Sequence, residues 1–181
     1  MTGRRLALAA AAALPLLVGA GISIAADTVP AELQPSGCKP LFTATANGVQ
    51  IYTSVAETGG AARWMLEAPL ARLTGRDGKI VIYHYAGPSW EAADGSKIVR
   101  DKDTPVKSVP APNATADIPW LLIKVTADPA PGVLSKVGFV QRVSTHGGVA
   151  PATPPTRADT KVGAPYTATY AFCARASQAT P

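Results

Sequence analysis

Residues 49–55, VQIYTSV, contain the clearest alternating pattern of the chain. Every odd position of this stretch holds a β-branched side chain, whereas the even positions hold Gln50, Tyr52 and Ser54. A period of two residues is typical of a β-strand, because successive side chains point to opposite faces of a sheet. The stretch therefore predicts a strand whose two faces differ in chemistry.

Similar patterns follow this strand along the chain. Residues 63–67 (RWMLE) also alternate and are predicted to stop at Pro69. Residues 79–85 (KIVIYHY) are β-branched and aromatic on both faces, which favours a central strand covered on two sides. Turn residues frame a short piece around Trp90, and further strands are predicted for residues 97–100, 118–126, 136–145 and 166–174. Because no long segment has a helical period, the sequence predicts an all-β fold, a single-domain antiparallel sandwich or barrel of about seven or eight strands.

The first 25 residues have the features of a secretory signal. Arg4 and Arg5 precede an uncharged apolar run that ends in Ser23-Ile24-Ala25, and signal peptidase accepts small residues at these positions before a cut. A membrane anchor is the alternative, but proline and glycine interrupt the run and an acidic residue follows it. The expected organisation is a cleaved signal peptide (1–25), an extended lead-in (26–37), a single β domain (38–175) and a C-terminal tail (176–181). The mature chain is therefore expected to be secreted or held in the cell envelope, with no membrane span.

Charge and histidine spacing exclude several functional classes. The formal net charge of +5 falls by two when Arg4 and Arg5 leave with the signal, and the remaining charges form no basic stripe of the kind that nucleic-acid binding needs. His84 and His146 lie far apart, with no HxH or HxxxH spacing. The sequence therefore predicts no nucleic-acid partner, no metal site and no cofactor.

Two cysteines, Cys38 and Cys173, lie near the two ends of the predicted domain. In an exported protein an even number of cysteines is expected to pair, and two unrelated buried thiols are the alternative. A bridge that closes so long a loop would contribute about 4–5 kcal/mol to stability through the entropy of the unfolded chain.

His84 is the first candidate site residue. By strand alternation it shares a face with Ile82, and Trp90, Glu91 and Asp94 follow on what the sequence predicts to be a loop. A histidine with one or two carboxylates can form an acid–base set if that loop folds back over the strand end. The alternative is structural: His84 is then a hydrogen-bonded core residue, Asp94 caps a turn and Glu91 is solvated.

Gln141 and Arg142 form the second candidate pair. Arg142 is predicted on the same face as Val140, where a partly buried guanidinium would need a partner. Glu91 or Asp94 would be its partner in a structural ion pair. If Arg142 instead binds an anionic ligand, the partner would be a carboxylate or phosphate of that ligand. The ligand-binding candidates are therefore His84, Trp90, Glu91, Asp94, Gln141 and Arg142.

Six strings occur in order between Asn47 and Phe172: GVQIY, WMLEAPLARL, HYAGPSWEAADGSKIV, IPWLLIKV, VQRVSTHGGVAP and PYTATYAF. In this order and spacing the chain resembles domain of unknown function family 3455, a family of exported bacterial and fungal proteins without an assigned activity. Many members of that family have a Cys two residues after the Tyr of GVQIY and a second Cys in the loop after the GGxAP string. Here Ser54 occupies the first position and the loop around Pro154-Pro155 has no Cys. The resemblance therefore implies that the disulfide has moved to Cys38 and Cys173.

The leading functional hypothesis is a non-enzymatic module outside the cytoplasm that binds a small molecule, a carbohydrate or a partner protein around residues 84–96. Two alternatives are a small hydrolase or isomerase that uses His84 with Glu91 or Asp94, and a purely structural envelope protein. Convergence of His84, a carboxylate and Arg142 around one cavity would indicate a site.

Overall fold

The computed structural model describes residues 28–60 and 62–175. The predicted signal peptide and C-terminal tail lie outside these residues. The elements are a 3-10 turn (Ala31–Leu33) and the strands β1 (Cys38–Ala56), β2 (Ala62–Gly75), β3 (Val81–Tyr85), β4 (Ser89–Ala92), β5 (Lys97–Arg100), β6 (Lys107–Val109), β7 (Trp120–Ala127), β8 (Phe139–Gly147) and β9 (Lys161–Arg175). None of the described residues forms a helix with the length and apolar character that crossing a membrane requires.

The nine strands form one antiparallel sheet that closes into a ring. Their order is β5-β4-β3-β2-β1-β9-β8-β7-β6, and an additional pairing of β5 with β7 closes the circle. Arg100 of β5 lies opposite Val125, and Lys107 of β6 lies opposite Leu122, so β5 and β6 occupy successive parts of one edge of β7. The ring therefore contains eight strand positions, one of which β5 and β6 share. The predicted all-β, single-domain antiparallel fold is confirmed.

Two details of the strand predictions were wrong. β2 does not stop at Pro69 but continues to Gly75. β3 pairs with β2 only over residues 71–74, so at Pro69 β2 has a paired neighbour on one side only, where a sheet tolerates proline. β3 itself is covered on one face, because Tyr83 is 52% exposed whereas Ile82 is fully buried.

The main core fills the interior of the ring. Large side chains from β4 and β9, chiefly Trp90, Tyr170 and Phe172, are fully or almost fully buried there. They share the core with small residues of β1, β2 and β9, namely Ala44, Ala46, Ala71 and Ala168. This alternation of small and large side chains lets a narrow ring of strands be filled.

A second cluster covers the outer face of β7 and β8. Leu33 of the 3-10 turn is fully buried against Trp120, Leu122 and Val143. The amide nitrogen of Gln141 (Nε2) donates a 2.6 Å hydrogen bond to the Leu33 carbonyl oxygen. The segment that precedes β1 is therefore packed onto the ring and includes a turn, although the sequence suggested only an extended lead-in.

Cys38 and Cys173 form the disulfide that the sequence predicted. Their Cα atoms are 5.7 Å apart, although 135 positions separate them in the chain. The bond joins the beginning of β1 to the end of β9, where these two strands pair.

Gly48 marks a close approach of β1 to β2. A Cβ atom at this position would overlap the Leu70 carbonyl oxygen and the Ala71 side chain. We expect Gly48→Ala to lower the free energy of unfolding by about 1–3 kcal/mol, because the two strands must move apart. Urea denaturation measures the loss, and Asn47→Ala, at an exposed position next to it, is the control with an expected change of about 0.5 kcal/mol or less. Equal effects of the two substitutions would contradict this account.

Candidate functional site

His84 lies inside the ring, where only 3% of its surface is exposed. Its ring stacks on Trp90 with the centroids 4.4 Å apart and the planes 7° from parallel, and Tyr170 meets it edge-on at 5.5 Å. His84 Nδ1 lies 2.9 Å from the Ser89 carbonyl oxygen. Because a carbonyl can only accept, Nδ1 carries the proton and Nε2 of the neutral ring is an acceptor.

The electrostatic surroundings keep this histidine neutral. The pKa of His84 is lowered to about 4, chiefly by burial and also by the positive charge of Arg142, whereas the hydrogen bond to Ser89 acts in the opposite direction. The imidazole is therefore uncharged near neutral pH and cannot donate a second proton there.

Arg142 brings a positive charge into the same interior. It is 8% exposed, and its Nε and Nη2 atoms donate to one acceptor, the Pro119 carbonyl oxygen, at 3.2 and 2.9 Å. Among residues 28–60 and 62–175, no carboxylate oxygen lies within 4.0 Å of the guanidinium. A buried charge without a counterion is costly to a protein, so this arrangement requires an explanation.

Three tyrosines surround Arg142. Burial raises the pKa of Tyr52, Tyr166 and Tyr170, and the guanidinium acts in the opposite direction on each of them. The Tyr52 hydroxyl donates to the Gly148 carbonyl oxygen at 2.8 Å, and the hydroxyls of Tyr166 and Tyr170 are 3.2 Å apart. All three phenols are therefore neutral neighbours of the charge.

Gln50 lies on the same inner wall. The strand register places His84, Ala71, Gly48 and Tyr166 side by side across four neighbouring strands, and Gln50 is the next inward residue of β1. Gln50 is 2% exposed, and its Nε2 donor has no hydrogen-bond partner within the described chain. We call the whole set the interior polar cluster, formed by Gln50, Tyr52, His84, Arg142, Tyr166 and Tyr170.

The structure brings only some of the predicted site residues together. His84, Trp90 and Arg142 all belong to the interior of the ring. Glu91 lies opposite Tyr83 on the outward face of β4, accepts a 2.5 Å hydrogen bond from the Tyr85 hydroxyl and lies 3.8 Å from Lys97 Nζ.

Asp94 and Gln141 are also engaged elsewhere. The Asp94 carboxylate accepts hydrogen bonds from the Ser96 amide, the Ser96 hydroxyl and the Val133 amide, and these bonds lower its pKa. Gln141 bonds to Leu33 on the outer face. Neither Glu91 nor Asp94 converges on His84, and a ligand-binding role for Glu91, Asp94 and Gln141 stays a prediction.

Sequence reasoning missed four members of the interior polar cluster. Gln50 and Tyr52 occupy the even positions of the strand whose alternation predicted the fold, so their shared face could have been noticed. Tyr166 and Tyr170 are four residues apart in a strand, which also puts them on one face. In the described part of the chain, no group of three or more His, Cys, Asp or Glu residues could hold a metal ion.

These features define a small disulfide-linked domain, a closed antiparallel ring of strands with a polar group of residues in its interior. A family model described as "Protein of unknown function (DUF3455)" matches residues 35–174, and the chain belongs to this family. The resemblance seen in the sequence is therefore confirmed. No curated protein and no solved structure matches the chain.

Proposed function

We propose that this protein is a binding module that works outside the cytoplasm and takes a small molecule into the interior polar cluster. Two buried donors on the inner wall, Gln50 Nε2 and Trp90 Nε1, carry the proposal, because neither has a partner in the described chain. Buried donors in native proteins are nearly always paired, and an unpaired one costs about 1–3 kcal/mol. A ligand with hydrogen-bond acceptors would satisfy them.

A small molecule fits these observations better than a carbohydrate laid on an aromatic platform. Trp90 and Trp120 are buried, and Trp64 donates its indole N–H to the Thr153 carbonyl oxygen at 2.9 Å. Sugar recognition would use a tryptophan that has both an open ring face and an unpaired N–H group. Trp90 and Trp120 lack the open face, and the N–H group of Trp64 is already paired.

A binding role is also favoured over the hydrolase or isomerase alternative. Acid–base catalysis by His84 needs a carboxylate or a substrate within hydrogen-bond reach of the ring. Glu91 is held on the outer face of β4 and Asp94 in the turn that follows it, and the proton on Nδ1 is already donated to the backbone.

Export is the second part of the proposal. It is supported by the signal pattern of residues 1–25. The Cys38–Cys173 disulfide is compatible with it, since such bonds persist in oxidising compartments.

Gln50→Leu tests whether this glutamine serves a ligand or the fold. We expect the ligand-free variant to be more stable than the parent by about 1–3 kcal/mol, because the substitution removes an unsatisfied buried amide. Urea denaturation of the purified, disulfide-bonded protein measures the difference.

Gln141→Leu is the matched control, because the same side chain there has a partner. It should lose about 1 kcal/mol together with the hydrogen bond to the Leu33 carbonyl oxygen. If Gln50→Leu destabilised the protein as much as Gln141→Leu does, Gln50 would be a structural residue and the proposed function would fall.

A further inference from the structure

We infer that the ligand is a small organic acid whose carboxylate pairs with Arg142. This inference rests on the proposed function and adds the chemical class of the ligand. It is drawn from the charge inside the ring, the balance of donors and acceptors, and the side chains that form the walls.

The charge of the interior is positive and uncompensated. A guanidinium keeps its proton in proteins, and Arg142 has no carboxylate within 4.0 Å in the described chain. The neighbouring His84 and tyrosines are neutral, so none of them balances the charge. An anion is therefore the complementary ligand, whereas an amine or a metal cation would be repelled.

The hydrogen-bonding groups of the interior show the same preference. The carbonyl oxygens of Ser89, Pro119 and Gly148 already accept from His84, Arg142 and Tyr52. The donors of Gln50 and Trp90 have no acceptor in the described chain, and the two bonded nitrogens of Arg142 share one oxygen. A carboxylate supplies only acceptors and matches the planar fork of a guanidinium.

The side chains next to the polar groups indicate the chemistry of the rest of the ligand. Around the polar groups lie alanines of β1, β2 and β9 and the stacked rings of His84 and Trp90. Because these neighbours are apolar, an apolar body attached to the carboxylate would match them better than a polar one. Arg142 and Tyr52 keep 8% and 9% of their surfaces exposed, so this part of the cluster reaches the surface.

The test is a thermal-shift and calorimetric titration of the disulfide-bonded protein with two matched series. One series runs from acetate through butyrate to benzoate, and the other contains the corresponding amides. We expect at least one acid to bind and to raise the melting temperature, and its amide to bind at least tenfold more weakly. Inorganic phosphate forms a third arm and should bind more weakly than the preferred acid.

Arg142→Gln should abolish the response to the acid, and Arg142→Lys should weaken it at least tenfold while keeping the charge. If Arg142→Gln fails to fold, Arg142→Lys and the acid–amide comparison in the parent decide the question. Stronger binding by the amides, binding by phosphate alone, or no response to any acid would overturn this inference. The proposed function is judged separately, by the stability of Gln50→Leu, so failure of this inference can be told apart from failure of the proposed function.

Discussion

Replacing both Cys38 and Cys173 by alanine should lower the free energy of unfolding by about 4–5 kcal/mol. The disulfide closes a loop of 135 positions, and a cross-link of that span removes a large conformational entropy from the unfolded chain. For a domain of this size, such a loss is a large part of the total stability. Urea denaturation of the parent and of the double variant, at the same pH, gives the difference.

A reducing agent provides the control for this experiment. It should destabilise the parent by a similar amount and leave the double variant unchanged, since that variant has no sulfur–sulfur bond to break. A loss below about 1 kcal/mol in the double variant would show that the ring of strands holds its ends together without the bond.

Lowering the pH from 6.5 to 4 should lower the free energy of unfolding by about 3 kcal/mol through the titration of His84 alone. The pKa of this histidine is about 4 in the folded protein and near 6.5 in the unfolded chain, so in this interval the unfolded state binds the extra proton. The stabilising contribution of the neutral ring is fully present above pH 6.5 and is lost as the pH falls to about 4. Urea denaturation at a series of pH values measures this loss.

Two variants separate the effect of His84 on stability from that of carboxyl groups, which titrate at the acid end of the same pH range. His84→Gln should flatten the dependence between pH 6.5 and pH 4, because it removes the titrating ring. His146→Gln, the same substitution at a side chain that is 78% exposed, is the matched control. If the free energy of unfolding depended on pH in the same way in the parent and in His84→Gln, His84 would not be the source of the acid destabilisation.

The strands and their inward residues could be predicted from local alternation, but their partners could not. The period of two identified β1 and placed His84 and Arg142 on inward faces. The pairing of β5 with β7 joins residues far apart in sequence, and no local pattern indicates it. Lys107–Val109 was missed because three residues in a proline-rich stretch are too short to show a period.

The acid–base set considered for His84 depended on the assumption that residues 89–94 form a loop. Residues 89–92 instead form β4, which pairs directly with β3 after a short turn. Pairing places Trp90 opposite His84, and alternation then turns Glu91 to the outer face. The approach of Arg142 to His84 depends on closure of the ring, which required the three-dimensional structure.

Ser54 shows how a family feature can be lost without loss of the fold. The resemblance implies a cysteine at this position in many members of the family. Here the buried Ser54 hydroxyl donates to the Arg157 carbonyl oxygen at 2.7 Å and accepts from the Thr160 amide at 2.9 Å. Two hydrogen bonds therefore tie β1 to the loop before β9.

The position of the disulfide also decides how the domain carries mechanical load. Cys38 begins β1, and Cys173 lies two residues before the end of β9, on an adjacent strand. Tension applied to the chain outside these two residues passes directly through the sulfur–sulfur bond. The ring and the interior polar cluster lie within the shielded loop, so they remain folded under a pull that would unravel the reduced protein.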